Sequence, residues 1–135
     1  LISRWEQTLP AGYSYGEGIS TEEKFYSPIW KDGASDPRFG CVKAYGCNTK
    51  REDIATFVET IRDNNYGLLA DLIDSESTFY EQRMGEPILS SSTFKVMTPE
   101  VAQLWAEAYS KKVDLLYEYG FITEEDYNWI LGIRQ

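Results

Sequence analysis

The closest match to a catalytic motif in this sequence is Ser92-Thr93-Phe94-Lys95, which fits the pattern S-x-x-K. In enzymes that use this pattern, the lysine accepts the proton of a nucleophilic serine and the motif opens a helix. Here the surrounding residues predict an extended segment, so we interpret the match as coincidence. The chain has no histidine, which excludes His-dependent triads, zincins and papain-like sites. We therefore predict no catalytic residue, and a carboxylate-based enzyme is the least favoured alternative.

The two cysteines, Cys41 and Cys47, are too few for a disulfide scaffold, and their spacing C-x5-C is not that of a zinc site. A disulfide between them would fit an oxidising compartment, whereas two reduced thiols in a cytoplasmic loop is the favoured interpretation. The acidic residues Asp71, Asp74 and Glu76 are better explained as solvated surface than as cation ligands. We predict no metal and no cofactor.

Acidic residues are concentrated in the C-terminal two thirds of the chain. The formal net charge is −9, and residues 49–135 hold 16 Asp or Glu against 8 Lys or Arg. The spacing of the acidic residues predicts one acidic stripe along a long helix, and three further acids in the following turn continue it. The predicted partner-binding residues are Glu107, Asp114, Glu118, Glu124, Glu125 and Asp126. The alternative is a surface that only keeps the protein soluble, in which Lys111 pairs with its neighbours on the stripe.

Start signals and apolar spacing predict that residues 49–135 are mainly helical. Thr49 and Thr98-Pro99 begin two of them, the second running to about Tyr119 with a wide apolar stripe. Short helices are predicted from Leu68 to Ile73 and from Ser77 to Met84, and Ile88 to Met97 is predicted as a strand or an extended connector. Gly120 and the residues from Thr123 onward predict a turn and a last helix, which together form an αα-hairpin.

Residues 1–48 contain frequent Gly and Pro and many aromatic side chains. Two segments, 25–30 and 39–45, predict strands of a small sheet. The predicted fold class is therefore α+β in a single domain covering residues 1–135, with a small irregular antiparallel sheet from the N-terminal third packed on a helical body. The aromatic side chains are interpreted first as core, and alternatively as an interface at Trp5 and Trp30.

Two classes of function fit these patterns. The first is a small acidic, non-enzymatic binding module, of an inhibitor or nucleic-acid-mimic type such as an immunity or anti-defence protein, which engages a basic protein. The second is a structural or accessory subunit of a larger assembly, such as a phage or multiprotein complex. Direct nucleic-acid binding is not expected, because the basic lining that phosphate requires is missing.

The sequence gives little information on location. No apolar run is long enough to span a bilayer, so we expect no membrane contact, with a slight preference for the cytoplasm. Because the chain begins at Leu1 rather than Met, we expect that a preceding segment was removed or is missing.

Overall fold

The computed structural model describes residues 1–8, 49–85 and 96–132. These residues form six helices, which we number in chain order. The helices are α1 (Ile2–Glu6), α2 (Lys50–Arg62), α3 (Tyr66–Leu72), α4 (Thr78–Glu81), α5 (Pro99–Glu118) and α6 (Glu124–Leu131).

Helix α5 is the central element, and its sequence explains both of its ends. Thr98 is the N-cap, and its side chain accepts a hydrogen bond from the backbone N–H of Val101, while Pro99 occupies the first turn. After Tyr119, Gly120 adopts a positive φ of 78°, which is the left-handed conformation that glycine tolerates best. The predicted limits of this helix are confirmed.

The apolar face of α5 is wide, as its sequence predicts. Trp105, Tyr109, Val113 and Leu116 are all fully buried. A wide buried face requires several neighbours, and α5 contacts α1, α3 and α6. Leu104 belongs by its spacing to the predicted apolar stripe, but the structure leaves it exposed.

The shorter helices pack around α5. Helix α3 lies against both α5 and α6, α4 packs on α3, and α1 contacts α2 and α5. Thr49 caps α2 by accepting a hydrogen bond from the backbone N–H of Glu52, as predicted. Helix α6 begins with a capping box, in which Thr123 and Asp126 each accept a hydrogen bond from the other's backbone N–H. Helices α5 and α6 form the predicted αα-hairpin.

The predicted α+β class is wrong. The parts of the chain that the structure describes are helical and contain no strand, so they provide no sheet against which the helices could pack. The predicted strands at 25–30 and 39–45, and most of the segment 88–97, lie outside the described residues. At the end of that segment, the Gly85 N–H donates to the Met97 carbonyl at 2.9 Å. Residues 1–8 contain the short helix α1. The sequence patterns predict neither a helix nor a strand for these residues.

Candidate partner-binding surface

Two of the six predicted acidic residues are held by tyrosine hydroxyls. The Tyr127 hydroxyl donates to Oδ1 of Asp114 at 2.5 Å, and the Tyr66 hydroxyl donates to Oδ1 of Asp126 at 2.5 Å. A tyrosine donor fixes the orientation of a carboxylate without cancelling its charge. The hydrogen bond from Tyr66 is the main cause that lowers the pKa of Asp126, and the bond to Asp114 raises the pKa of Tyr127 to about 12.

Two other acids of the predicted stripe are paired with cations. Glu107 pairs with Lys111 at 3.0 Å, four residues along α5. Glu118 accepts a hydrogen bond of 2.7 Å from Nη1 of Arg4, and this bond is the main cause that lowers the Glu118 pKa. All four side chains are about half exposed. Such surface pairs contribute little to stability, but each adds a positive charge beside the acid.

Glu124 and Glu125 are exposed in the first turn of α6. Within the described residues, neither carboxylate has an ion pair or a side-chain hydrogen bond. The acidic surface that remains uncompensated by cations is therefore smaller than the sequence predicts. Of the six predicted partner-binding residues, Asp114, Glu124, Glu125 and Asp126 have no ion pair within the described residues, and we call these four residues the acidic site.

Within the described part of residues 63–132, burial of two cations makes the surface more acidic than its sequence suggests. Lys112 is fully buried, and Arg83 is only 8% exposed, with its guanidinium 4.0 Å from the centre of the Phe79 ring. In the described part of residues 63–132, Lys111 is consequently the one exposed cation. The same part exposes acids along its whole length, from Asp63 to Glu125. A count of charges from the sequence includes Lys112 and Arg83 as surface cations. It therefore underestimates the excess of exposed acids over exposed cations.

The buried lysine belongs to a polar cluster that sequence reasoning missed. Nζ of Lys112 lies 2.6 Å from Oδ2 of Asp53, and the indole N–H of Trp5 donates to the same oxygen at 3.0 Å. All three side chains are fully buried. Burial is the main cause that lowers the Lys112 pKa, and the charge of Asp53 opposes it. The cluster joins α1, α2 and α5 and has the character of a structural centre rather than a reactive one.

Of the two aromatic residues predicted to form an interface, the structure describes only Trp5. Trp5 is fully buried and makes an edge contact with Phe57 at 5.4 Å, so its side chain is part of the core and is not exposed to a partner. Trp30 lies outside the described residues, as do the two cysteines of the suggested disulfide, Cys41 and Cys47.

The hydrogen bond between Tyr66 and Asp126 gives the first testable prediction. Tyr66→Phe should lower the free energy of unfolding at neutral pH by about 0.5–1 kcal/mol, because the bond is only partly buried. The lowered pKa of Asp126 adds stability above its ordinary value of 3.8, and this contribution is lost as pH falls through the lowered value. The difference between the two proteins should therefore shrink in acid.

Urea titrations of both proteins across this pH range would measure that difference. Tyr117→Phe is a matched control, since its hydroxyl makes no hydrogen bond among the described residues. An equal loss in both variants, or a loss that does not depend on pH, would contradict this assignment.

Comparisons with known proteins give no relative. No family model, no curated protein and no solved structure matches this chain. Within the described ranges, no helix is both long and apolar enough to cross a membrane, and no three potential metal ligands cluster together.

Proposed function

We propose that this chain is a small acidic, non-enzymatic binding module that engages a basic protein through the acidic site at the turn between α5 and α6. The observation that carries the proposal is the exposed pair Glu124 and Glu125, which has no cation within the described residues to neutralise it. An uncompensated group of carboxylates attracts a positively charged surface and speeds its association.

The hydrogen bonds at the acidic site support this role. Asp114 and Asp126 are oriented by tyrosine hydroxyls, and Asp126 also caps the helix that presents Glu124 and Glu125. Carboxylates that are fixed before binding lose less conformational entropy when a partner arrives. Several negative charges on one surface also resemble a nucleic-acid backbone, so we propose an inhibitor or mimic, of the immunity or anti-defence kind, that occupies a basic nucleic-acid site.

The accessory-subunit alternative has less support. It depended on exposed aromatic side chains in the N-terminal segment, and Trp5 is buried in the core. The exposed aromatic residues of the described chain lie instead beside the acidic site.

The proposal predicts that Glu124→Lys combined with Glu125→Lys abolishes partner binding while the fold is retained. Each substitution places a cation where the partner presents its own, so attraction becomes repulsion. Proteins captured by the wild-type chain from a lysate of its source organism at low salt would be identified by mass. The partner would then be purified and its Kd measured for both chains over a range of salt concentrations.

The matched control is Asp71→Lys combined with Glu76→Lys, which makes the same change of charge at two exposed positions, one in the last turn of α3 and one between α3 and α4. We expect the control to retain most of the affinity and the wild-type affinity to fall as salt rises. Displacement of DNA or RNA from the partner would support the mimic role. Equal affinity of the wild type and the Glu124/Glu125 variant would refute the proposal.

A further inference from the structure

Exposed aromatic side chains are concentrated at one end of the helical hairpin. Of the aromatic residues that the structure describes, every exposed one lies between Tyr117 and Trp129. Phe121, in the turn, is 50% exposed, and Trp129, on α6, is 44% exposed. Large exposed rings are typical of the anchors of protein interfaces.

Helical geometry places one of these rings beside an uncompensated carboxylate. Glu125 and Trp129 are four residues apart on α6, so their side chains lie on the same face, one turn apart. Ile130 is buried and marks the opposite face, which packs on the helical body. Glu124 borders the pair at the start of the helix. We call Phe121, Glu124, Glu125 and Trp129 the hairpin tip.

The protein itself shows how a carboxylate and a ring bind arginine. At the same end of the molecule, Arg4 donates to Glu118 at 2.7 Å, and its guanidinium lies 5.7 Å from the centre of the Tyr119 ring. A guanidinium suits such a pair because its planar donors match a carboxylate and its face attracts a ring. A lysine ammonium offers a point charge without this planar match.

We propose that the hairpin tip is a docking surface for an arginine-bearing segment of a basic protein, with the guanidinium held between Glu125 and Trp129. The proposal rests on the function proposed above and adds the side chain that the surface selects. Charge complementarity favours this occupant. A second copy of the chain would bring the same carboxylates against each other, and a nucleic acid or an anionic membrane would be repelled in the same way.

The experiment compares an arginine-containing peptide with the same peptide in which every arginine is replaced by lysine. Fluorescence anisotropy of the labelled peptides would give the Kd of each for the whole protein, at low and at physiological ionic strength. We expect the arginine peptide to bind about threefold to tenfold more tightly. Its addition should shift the indole N–H resonance of Trp129 in NMR spectra, while those of the buried Trp5 and Trp105 remain unchanged.

Single variants then separate the contribution of the Trp129 ring to peptide binding from that of the Glu125 charge. Trp129→Leu should remove the preference for arginine and leave the lysine peptide little changed, whereas Glu125→Gln should weaken both peptides. Glu76→Gln is the control for charge, and we expect it to match the wild type. Thermal unfolding of each variant would establish that it is folded.

The outcomes distinguish this inference from the proposed function. Equal binding of the two peptides, or an arginine preference that persists in Trp129→Leu, would overturn the inference and leave an acidic surface that attracts any cation. The absence of binding by either peptide would also overturn it. The partner-capture experiment with the Glu124/Glu125 variant would still decide the proposed function independently.

Discussion

Asp53→Ala should lower the free energy of unfolding by about 3–5 kcal/mol, because it leaves the ammonium of Lys112 buried without its carboxylate. The same substitution removes the acceptor of the Trp5 indole N–H. A loss of this size is a large part of the roughly 5–15 kcal/mol that stabilises a domain. Denaturant unfolding monitored by circular dichroism would measure it.

A double variant provides the control for this prediction. Asp53→Leu combined with Lys112→Met replaces the ion pair by apolar side chains, so neither of its charges remains buried. We expect it to recover most of the stability, since replacing both buried ions by apolar groups is often close to neutral. The deficit that remains would reflect the Trp5 N–H, which then lacks an acceptor. A single Asp53→Ala variant within about 1 kcal/mol of the wild type would show that the pair is not desolvated as the structure indicates.

Trp5→Ala should lower the free energy of unfolding by about 3–5 kcal/mol. Its ring is fully buried against Phe57 and lies 5.3 Å from Nζ of Lys112. Removing the ring leaves a cavity and admits water to a buried ion pair, so both effects act in the same direction. Thermal and denaturant unfolding of the variant would give the magnitude.

Phe121→Ala is the control for Trp5→Ala, because it removes an aromatic ring at a position that is 50% exposed. We expect its effect on stability to stay within about 0.5 kcal/mol, as for most surface substitutions. If the two substitutions had similar effects, Trp5 would not belong to the core. The interface interpretation of Trp5 would then be restored.

The sequence predicts the helices that have strong local signals. Thr98-Pro99 and Gly120 define the two ends of α5, and Thr49 and Thr123 define the starts of α2 and α6, because each cap acts on backbone groups within a few residues. Fold class is a different matter, since it depends on how distant segments pair. The predicted sheet is wrong for the described residues, because Gly and Pro show where helices stop but not what replaces them.

The candidate site was predicted in part. Spacing along α5 and α6 placed the acidic residues on an exposed surface, but it could not show that Arg4 reaches Glu118 from a helix at the other end of the sequence. The buried Lys112 left one local signal, since it lies in the apolar stripe between Tyr109 and Leu116. A charge at such a position indicates a buried partner, yet Asp53 could be identified only from the tertiary structure.

The shared oxygen of Asp53 also constrains the order in which the molecule is assembled. Trp5 and Asp53 are 48 residues apart, and Asp53 and Lys112 are 59 apart. Each separation is a long loop whose closure must precede the contact. Although α1 leaves the ribosome before the other helices, its tryptophan has no completed binding site until α5 has been synthesised. Of the three helices that form this cluster, the earliest in the chain therefore completes its contacts only after the latest has been made.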